Sequence, residues 1–194
     1  MAPPGTVTWL VLAYRLPAAS ALKAAIRRKL TRIGAVYLVN AVAVLPASPG
    51  AERTLRRTRK TITEAGGSAE LLRADAVEGA PALIAAFNAA RDREYGEIIA
   101  ACDDLLARIE AMTTAGRFSY RDLGDMDAEL KRLSMRNDTI RARDVLGAAN
   151  ADLALSALAR CRAVVDDFAV GVYQTDSASV TGVVHRPRSP GASS

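Results

Sequence analysis

Apolar positions recur along this chain in two rhythms, and the change from one to the other falls near residue 75. From Val7 to Tyr14 the chain carries Trp9, Leu10, Val11 and Leu12 in succession, and Pro17 closes the run, which predicts a strand apolar on both faces. Leu22, Ile26, Leu30 and Ile33 follow at steps of four, four and three, the stripe of an amphipathic helix, and Gly34 stops it. Val36 to Val39 and Ala41 to Leu45 read as two short strands with Asn40 near the turn and Pro46 as terminator. A second helix is expected from about Ala51 to Ala65, with Leu55 and Ile62 one heptad apart and Gly66-Gly67 ending it, and Ala69 to Leu72 gives a fourth strand. The order β-α-β-β-α-β is the ferredoxin-like plan, with two helices on one face of a four-stranded antiparallel sheet. Because the first strand and the stretch from Val36 to Leu45 are apolar on both sides, the second face should be covered too, by the C-terminal half or by another subunit.

Beyond residue 75 the rhythm is helical. Pro81 suits a first turn, and Ile84, Phe87, Arg91, Tyr95, Ile98, Cys102, Leu105, Ile109 and Met112 alternate at steps of three and four, one face of a helix about eight turns long that ends near Gly116. Leu123, Met126, Leu130 and Leu133 repeat the spacing after a polar loop. Asn137-Asp138 marks a break or bend, and a further helix is expected from about Ile140 to Phe168. From about Gln174 the composition turns to Ser, Thr, Gly and Pro. The expected fold class is thus α+β: a ferredoxin-like βαββαβ domain over 1–75, followed by a C-terminal helical hairpin or small helical bundle over 76–173 that packs on the domain or on a dimer partner, and a disordered tail over 174–194.

Composition narrows the function classes. Of 194 residues, 50% are apolar, 24% charged and 5% aromatic, which excludes wholesale disorder and collagen-like repeats. Two cysteines and one histidine leave little material for a metal site, and none is expected, nor any cofactor. His185 falls in the expected tail, no Gly-rich phosphate loop or nucleophile elbow occurs, and no catalytic residues are assigned; the reading is of a protein that is not an enzyme. The longest apolar stretch, Ala35 to Leu45, is interrupted by Asn40 and falls short of the roughly 18 residues of a membrane span. With no targeting signal and both cysteines in helical sequence, a reduced, cytoplasmic protein is expected.

Charge adds more. Residues 1–75 hold twelve Lys and Arg against Glu52, Glu64, Glu70 and Asp75, a balance of +8, and the remainder balances at −3 within a net +5. On the arc of the first helix opposite its apolar stripe stand Lys23, Arg27, Arg28, Lys29 and Arg32, and on the second helix Arg53, Arg56, Arg57, Arg59 and Lys60 do the same. In the ferredoxin-like plan both helices share one side of the sheet, so ten cations share one outer surface. Such a surface is either a solvated face of a basic protein or a contact for a polyanion, and nucleic-acid phosphate is the commonest such polyanion. No aromatic residue is interleaved, which argues against a single-strand stacking platform. A second cluster combines Arg91 and Asp92 with Arg143 and Asp144. Arg91 falls in the apolar seam, where a lone guanidinium is costly, so it should meet Asp138 or Asp144 in a structural ion pair, or with Arg143 build an oxyanion site.

Read together, several segments resemble the N-terminal domain of the ChrB family of chromate-resistance regulatory proteins. They are Trp9 to Pro17, Arg28-Lys29-Leu30 with Ile33 to Leu38, Val44-Leu45-Pro46, Phe87 to Asp92 with Glu94-Tyr95, and Ile140 to Asp144, spanning about residues 7 to 150. The resemblance implies a transcriptional regulator that senses chromate and controls a chromate-resistance operon. Full-length members carry a second, C-terminal chromate-resistance domain, and this sequence stops before one could fit. It departs from the family pattern where Ile26-Arg27-Arg28 replaces a tryptophan-containing motif and where Asn40-Ala41 replaces an Asp-Gly turn. A nuclease is disfavoured because the first strand ends in Arg15-Leu16-Pro17, with no carboxylate for a metal. The expectation is a homodimeric DNA-binding regulator with chromate or a similar oxyanion as ligand and no membrane partner. The alternatives are an oxyanion-sensing or protein-interaction module that does not touch DNA, or a redox protein that uses Cys102 and Cys161.

Overall fold

The computed structural model describes residues 7–17 and 22–182, with side chains to residue 177. Its elements are β1 (Thr8–Arg15), α1 (Leu22–Arg32), β2 (Val36–Val39), β3 (Val42–Pro46), α2 (Pro49–Glu64), β4 (Ser68–Asp75), α3 (Ala80–Thr114), α4 (Tyr120–Arg141) and α5 (Ala151–Gly182). The class is mixed α+β. Strands lie in the order β2-β3-β1-β4, all pairs antiparallel, with Leu10 opposite Leu45 and Leu12 opposite both Ala43 and Leu71. Two compact units are present: Met1–Glu94 with Ile140–Ala149, and Tyr95–Thr139 with Asn150–Ser194. The change of sequence rhythm near residue 75 therefore differs from the division in space, which falls inside α3.

In the first unit the alternation of β1 sends Leu10 and Leu12 to one face, where they join Ile26 and Leu30 of α1 and Leu55 and Ile62 of α2 in a single buried cluster. Trp9 points the other way and meets Phe87 of α3 edge-on, with ring centroids 6.3 Å apart. The second sheet face is thus partly covered from within the same unit. The second unit buries Tyr95, Ile98, Cys102, Leu105 and Ile109 of α3, Leu123, Met126, Leu130 and Leu133 of α4, and Cys161, Val165, Phe168 and Val172 of α5.

Three expectations need correction. α4 runs without a break through Asn137-Asp138, since neither residue is a proline or glycine and the apolar stripe Leu123, Met126, Leu130, Leu133 continues past them to the buried Ile140. The chain leaves helix at residue 142 instead: Asp144 accepts hydrogen bonds from the Gly147 and Ala148 amides, Gly147 adopts φ +76, and α5 starts only at Ala151. Finally, α5 continues through Gly182, so residues 174–182 are helical despite their Ser and Thr content. His185 and the rest of the expected tail lie outside the described residues.

Candidate nucleic-acid interface

The geometry of the basic surface follows from the two amphipathic helices of the first unit. α1 buries Ile26 and Leu30, four residues apart, which turns Lys23, Arg27, Arg28 and Arg32 to solvent and leaves Lys29 half-buried. α1 contains no acidic residue. α2 opens on Ser48, whose hydroxyl accepts from the Ala51 amide at 3.2 Å, with Pro49 in the first turn, and it buries Leu55, Thr58 and Ile62. The opposite arc exposes Arg53, Arg56, Arg57, Arg59 and Lys60.

These cations divide into tied and untied groups. Arg56 and Arg73 both grip Glu52, at 2.6 and 2.7 Å, and hold its carboxyl below the usual carboxylate range. Lys60 reaches Glu64 at 3.7 Å, and Arg59 Nε donates to the Ala69 carbonyl on β4 at 2.9 Å. Arg27 lies over the Tyr37 ring, 4.8 Å from its centroid, while the Tyr37 hydroxyl sits 3.1 Å from that of Tyr14. The sequence pattern held no hint of that stacked contact. Among the described residues, Lys23, Arg28, Arg32, Arg53 and Arg57 meet no carboxylate at ion-pairing distance. That set of solvent-facing cations can bind phosphate non-specifically, with an affinity that falls as salt rises.

The second predicted cluster is assembled, but with a different partner. Arg91, 2% exposed, has its Nε 2.8 Å from Glu94 Oε2, too poorly aligned for a hydrogen bond, and its Nη1 donates to the Gly34 carbonyl at 3.1 Å. Arg143 Nη1 lies 3.3 Å from the other Glu94 oxygen. One carboxylate is therefore shared by two guanidiniums. Burial pushes Arg91 below the usual guanidinium range, and Glu94 opposes the shift. The expectation that Asp138 or Asp144 pairs directly with Arg91 is corrected: Glu94 lies one turn away on the same helix, while Asp144 caps the 147–148 turn and acts on Arg91 through its field. Asp92 is half-buried beside them on α3, and Asp138 is exposed on α4. Gly34 completes the node: it adopts φ +90, and a Cβ there would lie 2.6 Å from Arg91 Nη1.

The cysteines are buried in the second unit, with the Cys161 thiol directed to the Cys102 carbonyl at 3.4 Å. Burial pushes the Cys102 thiol up to about 12. Among the described residues no group of three or more His, Cys, Asp or Glu side chains could hold a metal ion, and no helix is long and apolar enough to cross a membrane.

The family described as Protein ChrB, N-terminal, matches residues 23–179, most of the chain. The chain belongs to that family. No curated protein and no solved structure matches it. Membership supports a ChrB-like regulatory protein with a link to chromate resistance. The matched range includes both basic helices and the Arg91–Glu94–Arg143 node, and leaves β1 outside.

Proposed function

We propose that this ChrB-family chain is a cytoplasmic, non-enzymatic transcriptional regulator that contacts DNA through the outer surface of α1 and α2. The observation that carries the reading is that Lys23, Arg28, Arg32, Arg53 and Arg57 on α1 and α2 face solvent with no acidic partner among the described residues, in a unit whose first 75 residues balance at +8. The element order and the strand order β2-β3-β1-β4 support reading the first unit as a ferredoxin-like domain, which sets the two helices side by side. Family membership supports a chromate-resistance operon as the target, with chromate releasing the DNA. A homodimer matches this role, since a two-fold protein reads a palindromic site.

Fluorescence anisotropy on duplex DNA from the protein's own upstream region, against a scrambled duplex, tests the reading. The expected result is tighter binding to the native duplex, released by chromate. Arg28→Glu combined with Arg57→Glu should weaken binding to both duplexes and flatten its dependence on salt. Unchanged binding in that double variant refutes the assigned surface, and no binding by the wild-type chain moves the role to a protein partner.

A further inference from the structure

We propose that the helical second unit carries a binding site for a lipophilic organic cation, in the groove between α3 and α5. The groove encloses about 570 Å³, within the range of small-molecule sites, which in helical bundles lie between helices. Its floor is apolar: Ile109 of α3 and Phe168 of α5 are buried, and Leu106 and Val164 are half-buried. Both ends are bounded. One turn before Leu106 and Val164, Asp103 and Arg160 bridge the two helices at 3.6 Å. At the other end Phe118 packs on Phe168, with ring centroids 5.1 Å apart, and lies against Gly171, where a Cβ would collide with its ring.

Charge and length identify the occupant. Glu110 on α3 and Asp167 on α5 line the two walls, both exposed, and among the described residues neither meets a basic side chain at ion-pairing distance. No lysine or arginine lines the groove among those residues. An anion entering it would face two carboxylates, whereas a cation is attracted by both and by the Phe118 and Phe168 rings. Length disfavours a docked helix: from Leu106 to Thr114 α3 rises only about 12 Å, little more than two turns, where a protein helix usually has three or four. The site therefore takes a compact molecule that joins apolar rings to a positive charge. It involves no residue of the first unit, so the inference goes beyond the proposed function and does not rest on it.

Isothermal titration calorimetry of the full chain, without DNA, compares tetraphenylphosphonium with tetraphenylborate, which share a shape and differ in the sign of their charge. Because the chain carries a net +5, diffuse electrostatics favour the borate, so a preference for the phosphonium reports the groove. The expected result is one phosphonium bound per chain, more tightly than the borate. Glu110→Gln with Asp167→Asn should lower phosphonium affinity about tenfold, the scale of two exposed charge pairs, and cancel the preference. Asp104→Asn with Asp138→Asn removes the same charge from exposed positions outside the groove and should change neither. Val164→Trp fills the floor and should abolish binding with an unchanged circular-dichroism spectrum; if that variant fails to fold, the two carboxylate pairs decide. No binding of the phosphonium, equal binding of the two ions, or the same loss from both carboxylate pairs overturns the inference.

Discussion

At the scale of single residues, the Arg91 node shows how a buried charge is accommodated. Moving a guanidinium into an apolar seam is unfavourable unless its charge and donors find partners. Here Glu94 supplies the opposite charge and the Gly34 carbonyl takes a donor, while the Phe87 ring lies 5.0 Å from the guanidinium carbon. Removing the carboxylate leaves Arg91 buried without its contacting opposite charge and with only the more distant field of Asp144, whereas replacing the arginine removes the need for it. Glu94→Ala should therefore destabilise the chain by about 3 kcal/mol, and Arg91→Met by less. Denaturant midpoints at constant slope check the order, and a reversed order would mean that Glu94 is not what stabilises Arg91.

At the scale of elements, the β2–β3 hairpin contains a conflict that its sequence announces. The turn residues Asn40 and Ala41 join paired Val39 and Val42, and Ala41 adopts φ 68, the only non-glycine residue with positive φ among those described. A left-handed alanine carries about 1 kcal/mol of strain. The conformation persists because the Ala41 carbonyl accepts the Tyr14 amide at 2.9 Å, which ties the turn to β1. Ala41→Gly creates the Asn-Gly pair that suits such a turn, and relief of strain should outweigh the added freedom of the unfolded chain. The expected gain is roughly 0.5 kcal/mol, read as a rise in melting temperature; a fall would show that the turn is relaxed as it stands.

At the scale of the whole molecule, cations concentrate in the first unit, and both thiols lie in the core of the second. Cys102 and Cys161 are fully buried, and burial holds the Cys102 thiol protonated far above neutral pH. A thiol must be exposed and ionised to react. A chromogenic thiol reagent at neutral pH should therefore leave both residues unmodified in the native chain and label two thiols as denaturant unfolds it. Rapid labelling under native conditions would restore a redox role to the pair.

Much of the element order was legible in the sequence because helix and strand periodicity are local: Ile26 and Leu30, or Leu55 and Ile62, mark a buried stripe wherever the helix packs. The same spacing put the cations of α1 and α2 opposite those stripes, so the exposed surface could be read with its residues. Glu94 stood three residues from Arg91 and could have been chosen on helical spacing alone, but a facing helix was the more obvious source of a carboxylate. What tertiary structure decided was everything that depends on distant chain meeting: the Gly34 carbonyl on Arg91, Glu94 shared with Arg143, and Phe87 against Trp9. No local pattern encodes such contacts, since their partners stand 57, 49 and 78 positions apart and only the folded chain brings them together.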